Sequence, residues 1–186
     1  MKKSKKEHIL NVASDLFYKQ GIRATGVDQV AAESQIVKMT LYNNFKSKDE
    51  LVLAYLLRQD EMWREWFSQS IDKLSQTTKG KLVAMFDVLG EWFQEPDFNG
   101  CAFIKTASEF SDPTHPFNEA ANKYKTYLKD YITNLVQQSD VNHPEMLANG
   151  IYLLVEGAIT ITMLQTDPLA AQHGKEIASL LIEHLA

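Results

Sequence analysis

The chain has 186 residues, of which 45% are hydrophobic and 23% charged, with one cysteine and a formal net charge of −5. That balance is globular rather than disordered, and a single cysteine excludes an intramolecular disulfide framework and points to a reducing compartment. An acidic total argues against a nucleic-acid partner, but residues 1–48 hold nine Lys and Arg against four Asp and Glu, or +5, while the remainder holds ten against twenty, or −10. A basic head on an acidic body is the asymmetry expected when one end alone meets a polyanion.

The predicted elements are helical throughout. No stretch shows strand alternation, and all five prolines (Pro96, Pro113, Pro116, Pro144, Pro168) lie in the second half of the chain. A first helix runs from about Lys5 to Gln20, with Ile9, Val12, Ala13, Leu16 and Phe17 as its apolar stripe and Gly21 as its stop. A short second helix follows Thr25-Gly26, turning Val27, Val30 and Ala31 inward. A third covers about Lys38–Asn44 and buries Leu41 and Phe45. "SKDE" is a capping box, with Ser47 as cap and Glu50 returning the hydrogen bond, and opens a long helix from Lys48 to about Ser75. "KGKLVAMFDVLGEWFQ" forms a fifth helix ending before Pro96, and Ala102–Phe110 a sixth. Phe117, Ala120, Ala121, Tyr124, Leu128, Tyr131 and Leu135 mark a seventh, and the last two start at Pro144 and at Pro168, the latter with Asp167 as cap. The expected fold is all-α with nine helices: a helix-turn-helix head over residues 1–47, its motif at about 26–45, and a helical body over residues 48–186.

The amino terminus "MKKSKKEHILNVASDLF" has Glu7, Asn11 and Asp15 where a secretory signal needs an apolar run. The most apolar segment, "IYLLVEGAITITML", is 14 residues and contains Glu156, short of the roughly 20 that a membrane span needs. A cytoplasmic chain without a membrane partner is expected. No Gly-rich phosphate loop, paired-carboxylate motif or nucleophile elbow is present, so neither an enzyme nor a cofactor is expected. His8, His115, His143, His173 and His184 lack metal-ligand spacing. Cys101 has no cation beside it in sequence and reads as a small packed residue.

The three amino-terminal helices form a helix-turn-helix pattern, in which one helix braces and the next enters the major groove of B-DNA. Lys2, Lys3, Lys5 and Lys6 make a flexible basic arm. Lys46 and Lys48 stand at the start of the fourth helix, where free N–H groups already favour a phosphate. From Thr25 to Lys48 the chain reads T-G-V-D-Q-V-A-A-E-S-Q-I-V-K-M-T-L-Y-N-N-F-K-S-K. This stretch resembles the tetracycline-repressor family of bacterial regulators, with Ala31, Leu41, Tyr42, Phe45, Ser47 and Lys48 at the family's positions and no gap. Further along, "NGCAFIKTASEFSDPTHP" is similar to a Gly-Cys-x-Phe segment of one branch, and "LLVEGAIT" to the family's penultimate helix. The chain departs at Gln35, where a glycine usually makes the turn, at Val37, where a Ser or Thr usually caps the recognition helix, and at Met39 and Asn44.

The resemblance implies that Lys38, Met39 and Thr40 face base edges while Tyr42, Lys46 and Lys48 hold phosphates. It further implies a small, largely apolar effector in the body, for which Trp92, Phe103, Glu109, Tyr124, Tyr127 and Glu156 are the candidates, though each aromatic alone also fits an ordinary helical core. Glu156, the only charge between Glu145 and Asp167, is expected at solvent, across a dimer interface or on an effector. Ile151, Leu154, Ala158, Ile161, Ile177, Leu180, Leu181 and Leu185 would pair two copies of the last two helices into a four-helix interface. The expected protein is a ligand-responsive regulator that binds palindromic double-stranded DNA as a homodimer, acting as a repressor. The alternative is a protein-interaction regulator whose specific DNA binding is weakened through Gln35 and Val37.

Overall fold

The computed structural model describes residues 4–185. Among them lie nine helices: α1 (Lys5–Gln20), α2 (Val27–Glu33), α3 (Lys38–Asn44), α4 (Lys48–Leu74), α5 (Thr78–Phe93), α6 (Ala102–Glu109), α7 (Pro116–Gln137), α8 (Pro144–Gln165) and α9 (Ala170–Leu185). Local chemistry accounts for the boundaries. Ser4 caps α1 by accepting from the Glu7 N–H, and Gly21, at φ 93°, ends it. Thr77 caps α5 by accepting from the Gly80 N–H, and Pro144 opens α8. The capping box is offset by one residue: Ser47 accepts from the Glu50 N–H, but the Glu50 carboxylate accepts from Lys46 rather than Ser47. α9 begins at Ala170 rather than Pro168, and the Asp167 carboxylate accepts from the Leu169 N–H.

The described chain forms two compact units. One comprises the residues up to Glu61 together with Ala102–Lys123, so it reaches past the expected boundary at residue 47 and takes in α6 and the start of α7. Its core is built from Ile9, Ala13, Phe17, Val30, Ala31, Leu41, Phe45 and Tyr55, all nearly inaccessible, with the Phe17 and Tyr55 rings 5.5 Å apart. Burying such side chains is worth about 1.5–3 kcal/mol each, which holds the short α2 and α3 in place.

The second unit comprises Met62–Cys101 and the residues from Tyr124 onward, with α8 packed on α9 and α9 on α5. Its core uses Leu82, Met85, Phe86, Leu89, Ile132, Ile151, Val155 and Ile159. α8 is 22 residues long and contains an 18-residue stretch with a mean hydropathy of 1.5, long and apolar enough by length and composition to cross a membrane. The 14-residue apolar run lies inside the helix expected from Pro144. One face of it, carrying Ile151, Val155, Ala158 and Thr162, is buried, while Leu153, Ile161 and Leu164 on the other are exposed.

A candidate nucleic-acid interface

α2 and α3 are joined by a turn in which Gln35 takes φ 53°. This is the left-handed region that glycine enters more cheaply, so the departure noted at Gln35 is met by a strained residue rather than a different turn. His8 Nε2 lies 3.0 Å from the Ser34 carbonyl and ties α1 to this turn. α3 starts with Val37 at its N-cap (φ −79°, ψ 147°) and no side-chain hydrogen bond. With no side-chain cap, the Thr40 N–H donates instead to the Val37 carbonyl at 2.8 Å. Leu41 and Phe45 face inward, which turns Val37, Lys38, Met39, Tyr42 and Asn43 outward.

Val37 and Met39 are each 69% exposed and Tyr42 40%. Exposed apolar side chains at the start of a recognition helix suit thymine methyl groups. Val37 belongs to this surface, which its sequence position alone did not disclose. The Lys38 ammonium is 2.7 Å from an Asp28 carboxylate oxygen on α2, and that hydrogen bond and charge raise its pKa. Thr40 is half-buried, and its carbonyl accepts from the Asn44 amide at 2.8 Å.

Lys46 is exposed and Lys48 half-buried at the start of α4. Lys5 and Lys6 are not a flexible arm: both lie in α1 behind the Ser4 cap, and the Lys6 ammonium stands 5.1 Å from the Phe45 ring. Lys2 and Lys3 lie outside the described residues.

The six effector candidates divide between the units. Phe103 and Glu109 are in the first, on α6. Glu109 does not line a cavity wall with a free carboxylate, because it accepts from the Ile22 and Arg23 N–H groups at 2.9 and 2.6 Å. Trp92, Tyr124, Tyr127 and Glu156 are in the second. There Trp63 stacks on Phe67 at 4.2 Å and meets Tyr124 edge-on at 5.1 Å and Trp92 at 6.4 Å. The Trp63 indole N–H is buried and has no hydrogen-bond partner among the described residues. Tyr127 is covered by the Arg64 guanidinium, 3.7 Å from its ring.

Glu156 is not at solvent and not unpaired. Its two oxygens accept from the Lys125 ammonium at 2.8 and 2.6 Å. Burial presses the Lys125 pKa down, but the charges of Cys101, Glu156 and Tyr152 outweigh it and the pKa lies above the ordinary lysine value. Cys101 thus has a cation in its neighbourhood after all, contributed by α7 and invisible in local sequence. The Cys101 N–H donates to Met163 Sδ at 3.2 Å.

The expected dimer set also divides. Ile161, Ile177 and Leu180 are exposed, and Leu154, Leu181 and Leu185 half-buried. Ile151 and Ala158 are buried in the protomer's own core, so they cannot meet a second copy. The reason is geometric. At 100° per residue they lie roughly opposite the stripe of Met146, Leu153, Gly157, Ile161 and Leu164. Gly157 marks that outer face: a Cβ built on it meets nothing within 4 Å.

A short helix held on an apolar core, with its outer face free and lysines at the next helix start, defines a helix-turn-helix DNA-binding head. Residues 9–55 match the family described as bacterial regulatory proteins, tetR family, and residues 78–178 the tetracyclin repressor-like C-terminal domain. The chain belongs to the TetR family and is a transcriptional regulator. It is 28% identical over 158 residues to the HTH-type transcriptional regulator YjdC of Escherichia coli, covering 83% of this chain and 81% of that one. It is 29% identical over 138 residues to the HTH-type transcriptional regulator QacR of Staphylococcus aureus, covering 74% and 71%. The crystal structure of SCO4454, a TetR-family regulator from Streptomyces coelicolor, superimposes with a TM-score of 0.89 at 28% identity, covering 97% of this chain and 95% of that one.

Proposed function

We propose that this chain acts as a cytoplasmic homodimeric repressor, without catalysis, reading a palindromic operator through α3 and released by a small, largely apolar effector bound in the second unit. The observation that carries the DNA contact is the outward face of α3. Lys38, Met39 and Thr40 stand for base edges, and Tyr42, Lys46 and Lys48 for phosphates beside the N-terminus of α4. Pairing is supported by the exposed stripe of Leu153, Ile161 and Leu164 on α8, with Ile177 and Leu180 on α9. Contiguous apolar surface of this kind marks an interface, and two α3 helices about 34–36 Å apart would match one helical turn of DNA. The effector reading is supported by the aromatic cluster around Trp63 and its unpartnered N–H, an arrangement suited to an apolar molecule with one hydrogen-bond acceptor. On the proposed division, residues 1–47 read DNA and residues 48–186 bind effector and partner.

A protein-interaction regulator with weakened specific DNA binding is the second reading, favoured by exposed Val37 and Met39 on an uncapped helix. A gel-shift titration of the purified protein against the DNA flanking its own gene, across a salt series and with excess nonspecific duplex, separates the two. Saturable binding to a palindrome supports the repressor. Weak binding erased by salt on every duplex leaves only nonspecific electrostatics and sinks it.

A further inference from the structure

α3 has seven residues, and Leu41 together with Phe45 at its end pins one side of it to the core. At about 100° per residue, Met39 and Asn43 fall about 20° either side of the direction pointing straight away from Leu41. Both are exposed, Met39 at 69%. They are four residues apart, so their side chains stand in one row, separated by about 6 Å along the helix axis. Base pairs of B-DNA are stacked about 3.4 Å apart. On a helix running along the major groove, the two side chains therefore meet base edges within about two pairs of each other.

Neighbouring polar groups of α3 are engaged within the head. The Lys38 ammonium, which would otherwise suit guanine O6 and N7, is held 2.7 Å from the Asp28 carboxylate. The Asn44 amide donates to the Thr40 carbonyl at 2.8 Å, and Thr40 itself is half-buried. Met39 ends in a flexible thioether with no donor, and the C5-methyl of thymine is the apolar group that a base pair shows in the major groove. Asn43 carries a donor and an acceptor at one tip. Its amide N–H can donate to adenine N7 while its carbonyl accepts from adenine N6. A guanine there would set O6 against the Asn43 carbonyl, acceptor against acceptor, and the cation that could relieve the clash is on Asp28.

We propose that Met39 and Asn43 are the specificity-determining pair of this head, Met39 taking the C5-methyl of a thymine and Asn43 the N6 and N7 edge of an adenine within two base pairs of it in each half-site. The assignment rests on the reading of α3 as the helix that enters the groove. It adds Asn43 to the residues that touch bases and gives each of the two a base.

The test uses a duplex that the full chain selects from a random-sequence pool, remade with base analogues that remove one group and no charge. Uracil replaces each half-site thymine in turn and removes only the methyl; 7-deazaadenine replaces each adenine and removes only the N7 acceptor. For the wild type, one uracil position weakens binding about fourfold, the worth of a methyl group. One 7-deazaadenine position weakens it about fivefold or more. The salt slope stays the same in both cases, because no phosphate contact is lost. Met39→Ala binds the thymine and uracil duplexes alike and still discriminates against 7-deazaadenine; Asn43→Ala does the reverse. Both side chains are exposed, so neither truncation touches the core, and the analogue series on the wild type carries the test should a variant fail to fold by circular dichroism. Half-sites with no thymine and adenine within two base pairs, wild-type indifference to either analogue, or discrimination that survives the matching truncation overturns the assignment while leaving α3 as the reading helix. If the protein selects no duplex at all, specific DNA reading fails first and the assignment falls with it.

Discussion

The Lys38 ammonium, on the first residue of the recognition helix, is held 2.7 Å from the Asp28 carboxylate of the bracing helix. Both side chains are largely exposed, so the pair adds little to folding. Its consequence is for DNA. Asp28 neutralises a cation of the proposed interface and adds a negative charge beside it. Asp28→Asn should tighten binding to every duplex and steepen the salt dependence by about one counterion. Nonspecific duplexes should gain more than the operator, so the specificity ratio falls. Filter-binding isotherms at several salt concentrations measure both. An unchanged slope would show that Asp28 and Lys38 stand away from the DNA.

Local sequence carried the head well, because its determinants are local. The stripe of Ile9, Ala13 and Phe17 and the stop at Gly21 define α1, and the inward pair Leu41 and Phe45 sets which face of α3 is free. Asp28 was silent, since a carboxylate ten residues from Lys38 becomes its partner only after the turn at Gln35 has folded. Glu109 was silent for the same reason over a longer span: its partners, Ile22 and Arg23, are 87 and 86 residues away. α8 misled in another way. Nearly every position is apolar, so periodicity could not separate the core face of Ile151 from the outer face of Leu153.

The uncapped start of α3 offers a second measurement. Val37 already has the extended backbone of an N-cap residue, at φ −79° and ψ 147°, and lacks only an acceptor. Val37→Ser should supply one to the N–H groups of the first turn and stabilise the chain by about 1 kcal/mol, read from urea unfolding. If Val37 also touches a base, operator affinity should fall while nonspecific affinity holds. A stability gain with no change in DNA preference would place Val37 outside the contact.

Breaking the Lys125–Glu156 pair should cost more than any surface change. Both side chains are mostly shielded, at 18% and 21% exposure. Glu156→Gln leaves the ammonium without its counter-charge, and the expected loss is about 2–3 kcal/mol. Replacing both partners by apolar residues of similar size should return most of it, whereas removing either alone should not. The pH dependence has a definite sign. Burial opposes the charged form of Lys125, but Cys101, Glu156 and Tyr152 raise its pKa above the ordinary lysine value. Its contribution is therefore complete below the unfolded value of about 10.4 and fades as pH climbs through the higher folded one. The wild-type advantage over Glu156→Gln should accordingly be flat at neutral pH and shrink in strongly alkaline solution.

The two faces of α8 make the dimer testable with a matched pair of substitutions two residues apart. Leu153 is 69% exposed and Ile151 fully buried. Leu153→Glu places a charge in the proposed interface and leaves the protomer core untouched, so sedimentation equilibrium should show a folded monomer with unchanged helix content. A monomer carries one α3, and loses the second half-site contact on a palindrome, so operator binding should weaken far more than nonspecific binding. Ile151→Ala does the reverse. It empties a core position, costing about 2–5 kcal/mol of unfolding free energy, and should leave the dimer formed by the folded fraction as tight as before. Gly157→Ala belongs with the first substitution: beyond its chain neighbours and its own helix backbone, no described residue lies within 4 Å of the added Cβ, so a loss of pairing must come from a second chain. Dimers that survive Leu153→Glu unchanged, or a Gly157→Ala variant that unfolds without dissociating, would move the interface away from this face of α8.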